Sequence, residues 1–144
     1  TEDTIRSNAE EPVAAAAAAL LIEMAVMDGS FDKNERETVV RLISERFDLN
    51  SLDVAELVTE AEAAVSRSVE LFSFTRILRD DFDHLDRIKM IEMLWEVAYA
   101  DGILHDFEAN LIRRATGLLH VSDRESGVAR KRVLEQLDIA SEGG

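Results

Sequence analysis

The residues Glu23-Met-Ala-Val-Met-Asp28-Gly29-Ser-Phe-Asp-Lys-Asn-Glu35 have a second copy later in the chain, Glu96-Val-Ala-Tyr-Ala-Asp101-Gly102-Ile-Leu-His-Asp-Phe-Glu108. Both stretches read glutamate, four residues, Asp-Gly, five residues, glutamate, and each pair of equivalent acidic positions is separated by 73 residues. A constant separation of this kind is typical of internal duplication. The sequence therefore predicts two copies of one acidic helix-turn-helix unit, in repeat units of about 14–49 and 87–122 related by a pseudo-two-fold axis.

Length and composition favour one globular domain over residues 1–144. The hydrophobic fraction of 47% argues against disorder, and the length is sufficient to bury a core. Because the chain has no cysteine, disulfides and thiolate sites are excluded, and a cytoplasmic location is compatible with the composition. The longest apolar run, Val13 to Ile22, is too short to cross a bilayer, so we predict no transmembrane segment. Residues 1–9 and 139–144 are expected to be flexible.

The net charge of −14 arises from 30 acidic and 16 basic residues. Such a charge repels nucleic acid and anionic lipid, so cations and basic protein surfaces are the expected partners and nucleic acid is not. The same charge also suits a surface that is merely well solvated, and the two interpretations carry equal weight.

Almost every segment has helical periodicity and none alternates as a strand does, which predicts an all-α fold of six to seven helices. The first helix is expected to begin near Pro12, because proline suits the first turn, and to end at a C-cap formed by Gly29. Gly102 is the equivalent C-cap in the second copy. The apolar positions at helical spacing predict a core that includes Val39, Leu42, Ile43, Phe47, Val54, Leu57, Val58, Ala61, Val65, Ile88, Ile91, Leu94, Trp95, Ala98, Leu111, Ile112, Ala115, Leu119, Val128, Val133, Leu134 and Leu137.

The octet 28–35 is similar to the second half of an EF-hand loop, where a glycine turn precedes a bidentate glutamate. In that register, however, the first two ligand positions of the two copies fall on Met24, Val26, Val97 and Tyr99, which lack suitable oxygens. A standard EF-hand is therefore excluded.

Asp28 and Asp101 are predicted to lie at the C-terminal end of a helix, where the macrodipole disfavours a carboxylate by roughly 0.3–1 kcal/mol. Something should compensate each charge. The alternatives are the N–H groups of the following helix, a basic side chain such as Arg36 or Arg113, and a bound cation.

The four glutamates of the repeat divide into two kinds. Glu35 and Glu108 fall in the first turn of a helix, where a carboxylate is favourable, so a helix cap is the simpler interpretation for both. Asp32 is the predicted N-cap partner of Glu35, and Ser122 with Glu125 has the same spacing. Glu23 and Glu96 lie five residues before their aspartates, which corresponds to a rotation of about 140° around a helix. They therefore belong to the same site only if neighbouring helices enclose both residues.

No motif points to an enzyme. His84, His105 and His120 form no metal-binding pair of the HExxH kind, and the chain has neither a glycine-rich phosphate loop nor a nucleophile elbow. His105 occupies the position equivalent to Asp32, which makes it a possible ligand in one copy, although capping or exposure explains it more simply.

The doubled Ala-x-x-Asp-Gly-x5-Glu units, the segment Phe74-Thr-Arg-Ile-Leu and the run from Met93 to Gly102 resemble the TerB-like tellurite-resistance family. The resemblance extends over roughly Ala14 to Ser122. It implies a compact helical domain whose shared acidic residues bind metal. The metal ligands it implies here are Asp28, Glu35, Asp101 and Glu108, together with Glu23 and Glu96.

Two functions are consistent with these observations. The first is a non-enzymatic stress-response domain that holds a divalent cation, calcium or magnesium, and is linked to tellurite or metal resistance. The second is a protein-interaction module whose acidic turns are structural and whose acidic face binds a basic partner. Since similar domains accompany the J domain of membrane-linked co-chaperones, the resemblance also implies a membrane-associated complex. The chain itself lacks the His-Pro-Asp triplet that J-domain activity requires.

Overall fold

The computed structural model describes residues 2–26, 31–67, 73–100 and 104–137, with backbone alone for residues 2–11. These residues form seven helices and no strand, which confirms the predicted all-α fold and helix number for the described part of the chain. The helices are α1 (Glu2–Ala25), α2 (Lys33–Arg46), α3 (Ser51–Arg67), α4 (Thr75–Asp81), α5 (His84–Ala98), α6 (Asp106–Leu118) and α7 (Asp123–Leu137). Helix α5 ends at Ala98 with Tyr99 as its C-cap residue, so the predicted C-cap at Gly102 is wrong. Gly29 and residues 138–144 lie outside the described residues, so the cap at Gly29 and the flexible C-terminal end stay predictions.

Helix α1 begins at Glu2 and contains Pro12, so the predicted start near Pro12 is wrong. An internal proline costs about 3 kcal/mol, because it removes a hydrogen bond and crowds the preceding turn. The residues just before it, Ala9 to Glu11, are good helix formers and continue the helix across the proline. The preference of proline for a first turn is therefore outweighed by its neighbours.

Helix α1 is the centre of the fold. From Ala14 to Ala25 every side chain except Ala15 is buried, as expected for a helix that is apolar all round. It packs against α2, α3, α4, α5 and α6. The run of alanines has little side-chain volume, which lets these neighbours approach the α1 backbone closely.

The two repeat units match in their helix ends and in their neighbours. Helices α1 and α5 end at Ala25 and Ala98, and α2 and α6 begin at Lys33 and Asp106, again with a separation of 73 residues. Helix α1 packs on α2 and α3 as α5 packs on α6 and α7. The helix ends and the helix neighbours therefore correspond in the two units, whereas the internal repeat and its pseudo-two-fold axis stay predictions.

The predicted core is mostly confirmed, with an exception in α7. Val128 is 52% exposed and Leu137 is also exposed, whereas Ser126, Ala129 and Val133 face inward. The buried face of α7 therefore differs from the face that its largest apolar residues predict. Small residues at two of its positions allow a close approach to α5, and that contact decides which face is covered.

Helix α7 starts with the predicted capping box. The Ser122 backbone N–H donates to Glu125 Oε1 at 3.0 Å, and the Glu125 N–H donates to Ser122 Oγ at 3.1 Å. His84 at the start of α5 lies with its Nε2 at 2.6 Å from Glu125 Oε2. The Ser122 backbone hydrogen bond first, and His84 next, lower the pKa of Glu125 from 4.5 to about 2.

Substitution Glu125→Gln is expected to destabilise the protein at neutral pH. Because the folded-state pKa lies below the ordinary value, the charged carboxylate stabilises the fold above about pH 4.5, and this contribution is lost as the pH falls towards 2. The difference between wild type and variant in urea unfolding should therefore shrink across that range. Glu135→Gln, an exposed change on the same helix, is the control. A pH-independent difference for Glu125→Gln would contradict the assignment.

Candidate functional site

The doubled acidic motif spans two helix-to-helix connections, from α1 to α2 and from α5 to α6. Asp28 and Asp101 lie outside the described residues, so their predicted position at the C-terminal end of a helix and their role as ligands stay predictions. The four glutamates of the motif are described, two near the ends of α1 and α5 and two in the first turns of α2 and α6.

Glu35 and Glu108 are helix caps, as the simpler interpretation predicts. Glu35 Oε1 accepts the Asp32 N–H at 3.0 Å, while the Glu35 N–H donates to Asp32 Oδ1 at 2.8 Å. Glu108 Oε1 accepts the His105 N–H at 3.1 Å. A cap of this kind fixes the carboxylate at the N-terminal end of its helix, where the macrodipole also favours negative charge. Capping does not by itself exclude a second role, since a carboxylate has two oxygens.

His105 is the N-cap residue of α6, at the position that Asp32 occupies before α2. Its backbone is extended, with φ −92° and ψ 149°, and its ring stacks on Phe107 with centroids 5.5 Å apart. His105 therefore occupies the N-cap position of α6 with its backbone N–H bonded to Glu108, and its role as a ligand in one copy stays a prediction.

Glu23 and Glu96 occupy equivalent positions but differ in their surroundings. Glu23 is 4% exposed on the central helix α1. Glu96 Oε2 accepts a hydrogen bond from Arg41 Nη2 at 2.9 Å, which joins α5 to α2. This bond raises the pKa of Arg41. A cation that bound Glu96 would have to compete with the Arg41 guanidinium. In the second repeat unit, the position equivalent to Arg41 is occupied by Arg114.

Three of the four motif glutamates are buried, unlike the other acidic side chains that the structure describes. Among the described aspartates and glutamates, three are buried, at 4–7% exposure: Glu23, Glu35 and Glu108. Glutamate is almost never buried unless its charge is compensated. In the part of the chain that the structure describes, no three Asp, Glu or His side chains are grouped to hold a metal. A cation held by these glutamates would therefore need Asp28 or Asp101 as well.

Two basic residues of α7, Arg130 and Arg132, make contacts with α5 and its C-cap that the sequence pattern does not predict. Arg130 Nε donates to the Tyr99 hydroxyl at 2.8 Å, and its guanidinium lies 5.5 Å from the Trp95 ring centroid. Arg132 Nη1 pairs with Glu92. Trp95 itself is buried, as predicted for a core residue, and its Nε1–H donates to Ser126 Oγ at 3.2 Å. These two basic side chains thus hold α7 against α5.

The protein-family comparison agrees with this arrangement. A family model described as "Tellurite resistance protein TerB" matches residues 14–131, which include both copies of the acidic motif and the helices between them. No curated protein and no solved structure matches the chain. None of the helices in the described ranges has the length and apolar character needed to cross a membrane. The resemblance in the sequence is confirmed, and the chain belongs to the family of tellurite resistance protein TerB.

Proposed function

We propose that this chain is a non-enzymatic TerB-like domain that binds a hard divalent cation, calcium or magnesium, at its doubled acidic motif and acts in tellurite or metal resistance. The observation that supports the proposal is that three glutamates of the doubled acidic motif, Glu23, Glu35 and Glu108, are buried near the ends of the helices that flank the two connections. The link to tellurite comes from the family.

The donor set favours calcium or magnesium over softer metals. Calcium takes 6–8 oxygen ligands and magnesium an octahedral set of oxygens, whereas softer metals prefer thiolate or imidazole. The motif supplies carboxylates, and the chain has no cysteine. Asp28 and Asp101 complete the proposed ligand set, because a cation at these positions would offset the unfavourable charge expected beyond the ends of α1 and α5.

Each motif glutamate has a stated part in this proposal. Glu35 and Glu108 hold the ion through a carboxylate that the cap already orients, so little side-chain entropy is lost on binding. Glu23 adds a buried negative charge on α1. Glu96 joins only if Arg41 is displaced, which makes it the weakest contributor.

Isothermal titration with calcium, magnesium and manganese tests the proposal. The double variant Glu35→Gln with Glu108→Gln removes two charges but keeps the caps, because glutamine serves the same cap position. We expect saturable binding to the wild type and affinity lowered about tenfold or more in the variant, which corresponds to about 1.4 kcal/mol. Glu125→Gln is the matched control, because it is also a capping-box glutamate but lies outside the motif.

The control should bind the ion as the wild type does. If no ion binds at millimolar concentration, or if Glu125→Gln weakens binding as much as the motif variant, the glutamates are caps only and the cation function is wrong.

A further inference from the structure

A groove runs between α1 and α3, and none of the residues that line it belongs to the doubled acidic motif. Its volume is about 360 Å³. The apolar residues that line it are Pro12, Ala15, Leu49 and Leu57. Among the residues whose side chains are described, the polar ones that line it are acidic: Asp53, Glu56 and Glu60. We call this feature the α1–α3 groove.

The three carboxylates form a row along one side of α3. They are separated by three and four residues, so they share a helix face and extend over about 10 Å at 1.5 Å per residue. All three are exposed. The groove therefore combines an apolar floor with a continuous acidic wall.

Within the described part of the chain, this row makes no ion pair with lysine or arginine. Asp53 contacts the neutral Asn50, whose Nδ2 lies 2.9 Å from Asp53 Oδ2. Glu62, further along α3, is in contrast paired with Arg36 at 2.8 Å. The negative charge at the groove is thus uncompensated by the described side chains, while a neighbouring carboxylate of the same helix is compensated.

We infer that the α1–α3 groove docks a basic amphipathic helix of a partner protein. Lysines or arginines spaced three and four residues apart on such a helix match the row on α3, and apolar side chains beside them match the floor. A second copy of this chain fits poorly, because each copy carries a net charge of −14 and the same acidic wall. Anionic membranes and nucleic acid are repelled for the same reason.

Charge complementarity should act mainly on the rate of association, and apolar contact on the lifetime of the complex. None of the seven groove residues belongs to the doubled motif, so the proposal does not depend on cation binding. The groove and the cation site can therefore be tested separately in the same protein.

The probe is a synthetic amphipathic helical peptide with leucines flanked by lysines on one face, and its binding is followed by fluorescence anisotropy at low and moderate salt. The groove variant combines Asp53→Asn, Glu56→Gln and Glu60→Gln. The matched control combines Glu37→Gln, Asp81→Asn and Glu135→Gln, which changes the net charge equally at exposed positions outside the groove. A second peptide carries serine in place of leucine at the same charge.

We expect the groove variant to bind the peptide about tenfold more weakly, the control variant to bind almost as the wild type does, and the serine peptide to bind weakly to all three. Circular dichroism should show the same helix content in each protein. Equal loss in both variants, or equal binding of the two peptides, would reveal diffuse attraction and overturn the proposal. If spermine displaces the leucine peptide with an affinity equal to that of the peptide, the groove binds a small polyamine. If sedimentation shows a dimer that the groove variant does not form, the groove binds a second copy of the chain. Either result also overturns the proposal.

Discussion

Replacement of Leu94 by alanine is expected to lower the free energy of unfolding by about 2–5 kcal/mol. Leu94 is fully buried on α5, which packs against α1, α2, α6 and α7. The substitution removes buried methyl groups and leaves a cavity, because helices fixed by several neighbours cannot collapse fully into the space. Urea unfolding followed by circular dichroism measures the loss.

Leu85→Ala on the same helix is the control. Leu85 is 69% exposed, so its truncation should change the free energy of unfolding by less than about 0.5 kcal/mol. The two variants lose the same atoms and differ in burial. A similar response in both would show that α5 does not pack with its Leu94 face inward.

Divalent cation binding is expected to raise the stability of the wild type by about 2.7 kcal/mol when the ion is present at 100 times its Kd. For a domain of this size, that gain corresponds to a rise of several degrees in the melting temperature. The reason is linkage, since an ion held by carboxylates from both helix-to-helix connections binds the folded state and not the unfolded chain. Thermal unfolding with and without calcium or magnesium measures the shift.

The double variant Asp28→Asn with Asp101→Asn should lose this shift and be more stable than the wild type without metal. The predicted location of each aspartate at a helix C-terminus makes its charge unfavourable in the absence of a cation. Asp48→Asn with Asp81→Asn removes the same charge from exposed positions outside the motif and should keep the shift. An unchanged wild-type melting temperature in each ion, together with a destabilised double variant, would show that Asp28 and Asp101 are structural.

The features that could be predicted from the sequence depend on contacts between near neighbours in the chain. Both Glu35 and Glu125 accept a backbone hydrogen bond from a residue three positions earlier, so the spacing alone was sufficient to predict them. Helical periodicity likewise predicted the all-α fold, and the constant separation of the acidic motifs predicted the matching helix ends. These arrangements require no knowledge of which helices meet.

Some local preferences were overruled by other residues. Pro12 lies inside α1 because the helix formers on both sides continue the helix. Val128 is exposed although it is larger and more apolar than Ala129, which is buried on the same helix. An intrinsic conformational preference is worth a few kcal/mol at most. It therefore determines the local structure only where tertiary packing does not favour another arrangement.

Local sequence was thus enough to determine the all-helical fold, the glutamate caps of α2, α6 and α7 and the repeated acidic motif. Tertiary packing decided that Arg41 of α2 binds Glu96 of α5, that Glu23 is buried, and that α1 and α3 enclose an apolar groove beside three carboxylates. The physical reason is the range of the interactions. A cap joins atoms three residues apart, whereas Arg41 and Glu96 are 55 residues apart and meet only after their helices have packed.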